Sequence, residues 1–326
     1  MMNRKALTNS IKITQMSKKI FILMIILFSS KTMMAQNQIN LGQYMIHQPF
    51  INPAAVGSYQ NLTFAGVYRA QWTQFTGAPV TQGLNIIAPL KKLKHTLGLN
   101  IYHDVIGINN NTEISVAYAY TSRVGRNSFL SFGLGASVDL LKSDYNLLHT
   151  ITPEDPLFVS STGITPLPDF KFGIYFFKSK FYAGFSLPNL LNNQIEFTTD
   201  GASVGKTEFS AENLHYHFHT GYSFLLNEKF DLNASTLVKQ VSGAPMQIDG
   251  NLQLMYKKTF GMGVSYRTSK EIIGILSYNV NTTFKFSYAY EFNTGLLGNY
   301  SNGSHEIMLI YSIKPPKETV VSIPRF

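Results

Sequence analysis

Thr283-Phe284-Lys285-Phe286-Ser287-Tyr288-Ala289-Tyr290-Glu291-Phe292 places an aromatic ring at every second position. Side chains on a strand point alternately to opposite faces, so this stretch is a strand with one aromatic face and one face of small or polar residues. A helix would scatter the same rings around its circumference. The pattern recurs at 129–140, where Leu130, Phe132, Leu134, Ala136, Val138 and Leu140 alternate with Ser131, Gly133, Gly135, Ser137 and Asp139.

Working outward, the alternation marks about fourteen segments: 62–72, 79–88, 95–104, 112–121, 128–141, 168–177, 180–188, 214–226, 229–238, 245–256, 259–267, 270–279, 282–292 and 304–313. Each is roughly ten residues long and bounded by turn residues, the pattern of a transmembrane antiparallel up-and-down β-barrel. A soluble β-sandwich is the competing all-β fold. Its strands run to about 5–6 residues, and its outward faces would need more charge than the 14% of the chain that is Asp, Glu, Lys or Arg. The 13% share of Phe, Trp and Tyr suits a surface facing lipid.

Loop lengths test that choice independently. Outer-membrane barrels carry short turns at the periplasmic end and longer loops at the surface. If the first strand leaves the periplasm, the alternate connections Pro89–Lys94, Ser122–Asn127, Lys178–Ser179, Asn227–Glu228, Lys257–Lys258 and Val280–Asn281 belong to the periplasmic set, and all are short. The other set holds the long connections 142–167 and 189–213 and the Asn/Gly-rich 293–303, with one short member at Thr268–Ser269. An even strand number then leaves both termini in the periplasm.

The formal net charge of +9 first suggests a nucleic acid or an anionic membrane as partner. Its location argues otherwise. Met16-Ser17-Lys18-Lys19, the apolar run Ile20–Phe28 and Ala35 ahead of Gln36 describe a secretory signal cleaved before Gln36. Residues 1–15 precede a signal that is already complete, so they read as an extension with Met16 the start. Removing Arg4, Lys5, Lys12, Lys18, Lys19 and Lys31 from 27 basic residues leaves 21 against 18 acidic ones, a net of +3, and no nucleic-acid partner is expected. The chain has no Cys, which excludes disulfides, thiolate metal sites and a lipid-modified N-terminal Cys. The expected organisation is 1–35 extension and signal, 36–60 lead-in, 61–313 barrel and 314–326 a periplasmic tail, where Pro315 and Pro316 stop strand pairing.

Few residues invite a chemical role. No Gly-x-Ser-x-Gly, His-Glu-x-x-His or P-loop pattern is present, so no enzyme, cofactor or metal is expected. His215, His217 and His219 share one strand face, but their spacing of about 7 Å is long for a single ion, and lumen-facing polar residues are the better reading. Asn52, Pro53 and Gly57 shape the start of the barrel or bind a partner. Arg69 and Gln71 share the inward face of the first strand. Trp72, the only Trp, is expected near an interfacial belt. Lys91, Lys92, Lys94, Lys257 and Lys258 place basic charge on the periplasmic turns.

Gln43-Tyr44, Asn52-Pro53-Ala54, Gly57-Ser58, Tyr68-Arg69-Ala70-Gln71-Trp72, Gly77-Ala78-Pro79 and the closing Ser304-His305-Glu306-Ile307-Met308-Leu309 together resemble the PorP/SprF family of Bacteroidota outer-membrane proteins. The departure is Ala55-Val56, where family members often carry an aromatic residue. The resemblance implies a non-enzymatic barrel of the type IX secretion system, set in outer-membrane lipid. It further implies help in exporting or anchoring an adhesin-like surface protein with a type-B C-terminal domain. Type IX and motility components, periplasmic ring proteins among them, are the implied partners, with a link to gliding. Gly- and Ser-rich inner faces would leave room for a partner segment. A passive or hydrophobic-substrate channel is the alternative, given about fourteen strands.

Overall fold

The computed structural model describes residues 40–90, 94–145, 163–197, 203–210 and 214–313. The expected signal, its extension and the tail 314–326 therefore lie outside the described residues. Strands are β1 (Leu62–Ala70), β2 (Val80–Pro89), β3 (His95–Ile106), β4 (Asn109–Gly125), β5 (Ser128–Ser143), β6 (Thr165–Lys178), β7 (Phe181–Leu187), β8 (Asn192–Phe197) and β9 (Ser203–Glu208). They continue as β10 (His215–Leu225), β11 (Phe230–Val241), β12 (Gln247–Tyr256), β13 (Phe260–Arg267), β14 (Glu271–Asn279), β15 (Phe284–Asn293) and β16 (Ser304–Ile313).

Fourteen of these, β1–β7 and β10–β16, form one closed antiparallel barrel, each paired with its neighbours in the sequence order of the barrel strands. Closure is made by β16 on β1, in register from Leu62 opposite Ile313 to Ala70 opposite His305. Among the described residues no helix is long and apolar enough to cross a membrane; the crossing is made by strands. Closure leaves no sheet edge for lipid to meet, which is what the bilayer demands of a β-structure.

The expected segments all fall on barrel strands, with three departures. First, β1 ends at Ala70 rather than 72. Second, β3 and β4 extend until only Gly107-Ile108 separates them, a turn that Gly107 permits at φ 58°. A second short connection thus joins 268–270 in the otherwise long set. Third, the connection after β7 carries its own hairpin, β8 on β9, outside the barrel.

The alternation sorts the two faces. Val116, Leu134 and Met262 point outward and are more than half exposed to the surroundings, while Thr63, Asn85, Ser131 and Gln253 point inward and are buried. An exposed apolar band around a buried polar interior is the arrangement that lipid selects. Near the short-turn end, Tyr256 stands opposite Phe260, Phe260 opposite Tyr278, and Tyr278 opposite Phe286. These outward rings form a row across four strands. Tyr68, Tyr266, Tyr290 and Phe292 occupy the outward face toward the other end. Two aromatic levels mark the two interfaces of a bilayer.

Residues 40–61 do not lie beneath the barrel but inside it. They include a 3-10 turn, Gln48–Phe50, and a 3-10 helix, Pro53–Ser58. Leu41, Tyr44, Met45 and Ile46 are buried against Ala65, Val67, Leu237, Ile273, Met308 and other inward side chains. Ala54 and Ala55 pack on Tyr175, Phe177 and Tyr182, and Val56 and Tyr59 on Ile87 and Ala119. The lead-in thus completes apolar clusters whose other members come from the wall.

Candidate functional site

The lead-in runs the length of the lumen. At the end bearing the long connections, Asn40 Oδ1 accepts from Lys239 Nζ at 2.8 Å, near the last residues of β11. At the other end, Thr121 Oγ1 donates to the carbonyl of Gly57 at 3.1 Å, near the finish of β4. β1 starts and β16 finishes at that short-turn end, so the chain doubles back within its own barrel.

The upper part of the lead-in is held by a buried charge network. Glu306 accepts the backbone N–H of Gly42 at 2.8 Å and of Gln43 at 3.0 Å. Arg69 pairs with that carboxylate at 3.2 Å and with Glu291 at 2.9 Å. Arg267 pairs with Asp249 at 3.0 Å, Glu271 at 2.7 Å and Glu291 at 3.3 Å, and donates through Nη2 to the carbonyl of Leu41 at 3.2 Å. Register explains the convergence, because Arg69 faces Glu306 across β1–β16, and Arg267 faces both Asp249 and Glu271 on its two neighbours. Glu291 joins the two halves. Both guanidiniums are buried to 1% exposure or less. Burying such charges is costly unless each is paired and hydrogen-bonded. Here the wall supplies the ion pairs, and the Glu306 carboxylate as acceptor and an Arg267 N–H as donor remain for the lead-in backbone.

The lower part is held by fit. Asn52 caps the 3-10 helix, its Oδ1 accepting from the N–H of Ala54 at 2.9 Å. Its Nδ2 faces the carbonyls of Ile174 at 3.1 Å and Phe185 at 3.3 Å, and His219 Nε2 at 3.1 Å. Such approach to strand backbones needs the wall to lack side chains. A Cβ on Gly173 would stand 2.1 Å from Asn52 Oδ1, and one on Gly133 would stand 2.3 Å from the nitrogen of Ala54. Both positions admit only glycine without displacement of the lead-in. Between the two parts, His47 bridges Asn85 Oδ1 at 2.7 Å and the hydroxyl of Tyr59 at 2.9 Å, and Ser186 Oγ donates to the carbonyl of Ile51 at 2.7 Å.

Asn52, Pro53, Gly57 and Arg69 all face the lumen, but in its two parts: Arg69 belongs to the charge network and Asn52, Pro53 and Gly57 to the close-fitting part. Gln71 and Trp72 belong to neither: the strand has ended, the N–H of Gln71 donates to the carbonyl of Pro79 at 2.9 Å, and Trp72 has φ 44°, so alternation no longer sets its side. His217 and His219 are buried in the lumen, and no metal-holding group of His, Cys, Asp and Glu occurs among the described residues. Lys94, Lys257 and Lys258 are exposed at the short-turn end, while Lys91 and Lys92 fall outside the described residues. The room expected for a partner segment beside the inner glycines is taken by the chain's own residues 52–58. Reading by residue type missed Asp249, Arg267, Glu271, Glu291 and Glu306. Their inward parity was the available signal, since each sits on the polar face of an alternating run.

Among solved structures, the chain is similar to the CymD monoaromatic hydrocarbon channel at 12% identity, over 85% of this chain and 94% of that one, with a TM-score of 0.48. It is similar to the Pseudomonas putida toluene transporter TodX at 9% identity, over 84% and 94%, with a TM-score of 0.45. A Pseudomonas aeruginosa FadL homologue gives 11% identity, 81% and 92% coverage and a TM-score of 0.42. Those likenesses are too slight to bear on what this chain does. No curated protein gives a significant match in sequence. The sequence profile of the type IX secretion system membrane protein PorP/SprF matches residues 33–311, which takes in the lead-in and nearly all of the barrel. The chain belongs to the PorP/SprF family of type IX secretion system membrane proteins.

Proposed function

We propose that this protein is a closed, non-enzymatic outer-membrane barrel that helps export and anchor an adhesin-like surface protein with a type-B C-terminal domain. In this reading it works with type IX and motility components, including periplasmic ring proteins, and couples to gliding. Short connections face the periplasm and long ones the surface, which puts the start of β1 and the end of β16 on the periplasmic side. The observation that carries the reading is the lumen occupied by the chain's own residues 40–59, fixed along its length to the wall. A barrel filled in this way is poorly suited to passive diffusion, the alternative function. It is well suited to carrying its surface connections on a fixed frame, which a folded partner domain can grip without entering the lumen. Asn52, Pro53, Gly57 and Arg69 serve in this reading as lumen anchors rather than partner contacts, and Gln71 and Trp72, beyond β1 on a surface connection, as partner-side residues.

The test is isolation of the full chain in mild detergent from cells that express such a surface protein, with the bound proteins identified by mass spectrometry. Recovery of a protein bearing a type-B C-terminal domain, lost when the loop 71–79 is shortened, is the expected result. Absence of any such protein from the wild-type isolate counts against the anchoring role.

A further inference from the structure

The charges of the barrel are sorted by end. The buried carboxylates of the lumen network stand toward the long connections, whereas the short-turn rim carries Arg126, Lys178, Lys180, Lys229, Lys257 and Lys258, all exposed. Among the described residues Glu228 is the exposed acid on that rim. No salt bridge engages these six among the described residues. With Lys94 at the β2–β3 connection, the rim cations occupy five successive short connections of the barrel, from β2–β3 to β12–β13, and the β14–β15 connection carries none.

Two of them are held at a defined height. Lys178 Nζ lies 5.8 Å from the ring centroid of Phe181, and Lys257 Nζ lies 5.4 Å from that of Tyr256. Both rings point outward: Phe181 precedes the inward Tyr182, and Tyr256 belongs to the aromatic row near the short-turn end. Cation–π contact therefore fixes these ammoniums over the rings that mark the bilayer interface, where lipid phosphates lie. A second feature is independent of the first. Lys257 and Lys258 occupy a tight hairpin turn with φ 49° and 55°, where Asn or Gly is favoured. Two cations stand there against backbone preference.

We propose that this rim is a collar for anionic phospholipid headgroups of the leaflet at the short-turn end. Tethering to outward rings directs the ammoniums sideways toward the surrounding lipid. A soluble acidic partner would instead be met by cations directed along the barrel axis. With the short connections periplasmic, the leaflet is the periplasmic one, but the chemistry of the collar does not depend on that orientation. Basic groups at an anionic lipid surface are attracted within about a Debye length, so the interaction is sensitive to salt.

The experiment is native mass spectrometry of the full chain in detergent with equal amounts of phosphatidylglycerol and phosphatidylcholine. Wild type is expected to retain phosphatidylglycerol about tenfold or more over phosphatidylcholine, with the preference collapsing at high salt. A variant carrying Lys178→Gln, Lys180→Gln, Lys257→Gln and Lys258→Gln loses the preference. A control with Lys142→Gln and Lys270→Gln, exposed toward the other end, keeps it. Equal retention of both lipids by wild type overturns the proposal without recourse to any variant. It is equally overturned if the fourfold variant keeps its preference. A polyglutamate peptide that displaces phosphatidylglycerol from wild type, and fails to bind the variant, would assign the collar to an acidic protein instead.

Discussion

Residues 40–43 and 52–58 lie in the same lumen, yet the wall holds them by different physics. At 40–43 the wall offers charge: Glu306 reads two backbone N–H groups and Arg267 one backbone carbonyl, with Asn40 Oδ1 on Lys239 and Gln43 Nε2 on the Glu306 carbonyl as the polar side-chain contacts. At 52–58 the wall offers absence: glycines on β5 and β6 let the 3-10 helix lie against bare backbone, and Asn52 matters a great deal. Ionic contact is strong but tolerant of what the lead-in carries. Steric contact is weaker per group but tolerates almost no change. A segment held in both ways gains a firm grip at one end and a fixed register at the other.

The largest way to break the comparison is on the charged side. Arg267→Met leaves Asp249, Glu271 and Glu291 without their shared partner in a buried site, and an unpaired buried charge costs about 3–5 kcal/mol. Urea unfolding in lipid vesicles, followed through the single Trp, measures it; a loss below about 1 kcal/mol would mean that the network does not bear the load assigned to it. Next comes the steric side. Gly173→Val forces a Cβ onto Asn52 and is expected to destabilise by about 1–3 kcal/mol. Gly274→Val is the control, because Gly274 faces outward with nothing within 4 Å of the added Cβ, and its effect should stay within about 0.5 kcal/mol. The smallest effects sharpen the contrast. Gln43→Ala keeps the backbone N–H that Glu306 reads and loses only the Nε2 donation to the Glu306 carbonyl, so it should cost about 1 kcal/mol. Asn52→Ala removes a helix cap and should cost about 0.5–2 kcal/mol, exceeding the Gln43 variant in the same assay. The reverse order would show that the upper end depends on the Gln43 side chain more than on the backbone that Glu306 reads.

Much of this was legible in period-two alternation, which depends only on strand geometry. The run 283–292 predicts β15 almost to the residue, and the inward parity of Arg69 follows from the same rule. What alternation cannot tell is what fills the inside. Gln43 and Glu306 stand 263 positions apart, and no local pattern announces that they meet. The glycines of the inner faces were visible as room, but their occupant was not, because Asn52-Pro53-Ala54-Ala55 carries no strand period of its own. β8 and β9 were missed because Asn192–Phe197 and Ser203–Glu208 lack a regular apolar face. Alternation says nothing of the side that Trp72 takes, because β1 has ended at Ala70 and Trp72 has a left-handed backbone.

The central claim is that the protein closes its own barrel with residues 40–59. Single-channel recording in planar bilayers tests it most directly, comparing wild type with a variant lacking residues 40–59. Wild type should show no steady conductance above bare lipid, and the shortened chain should open discrete, long-lived steps. Stable open-pore conductance from the wild-type protein would contradict the claim, whatever the shortened chain does.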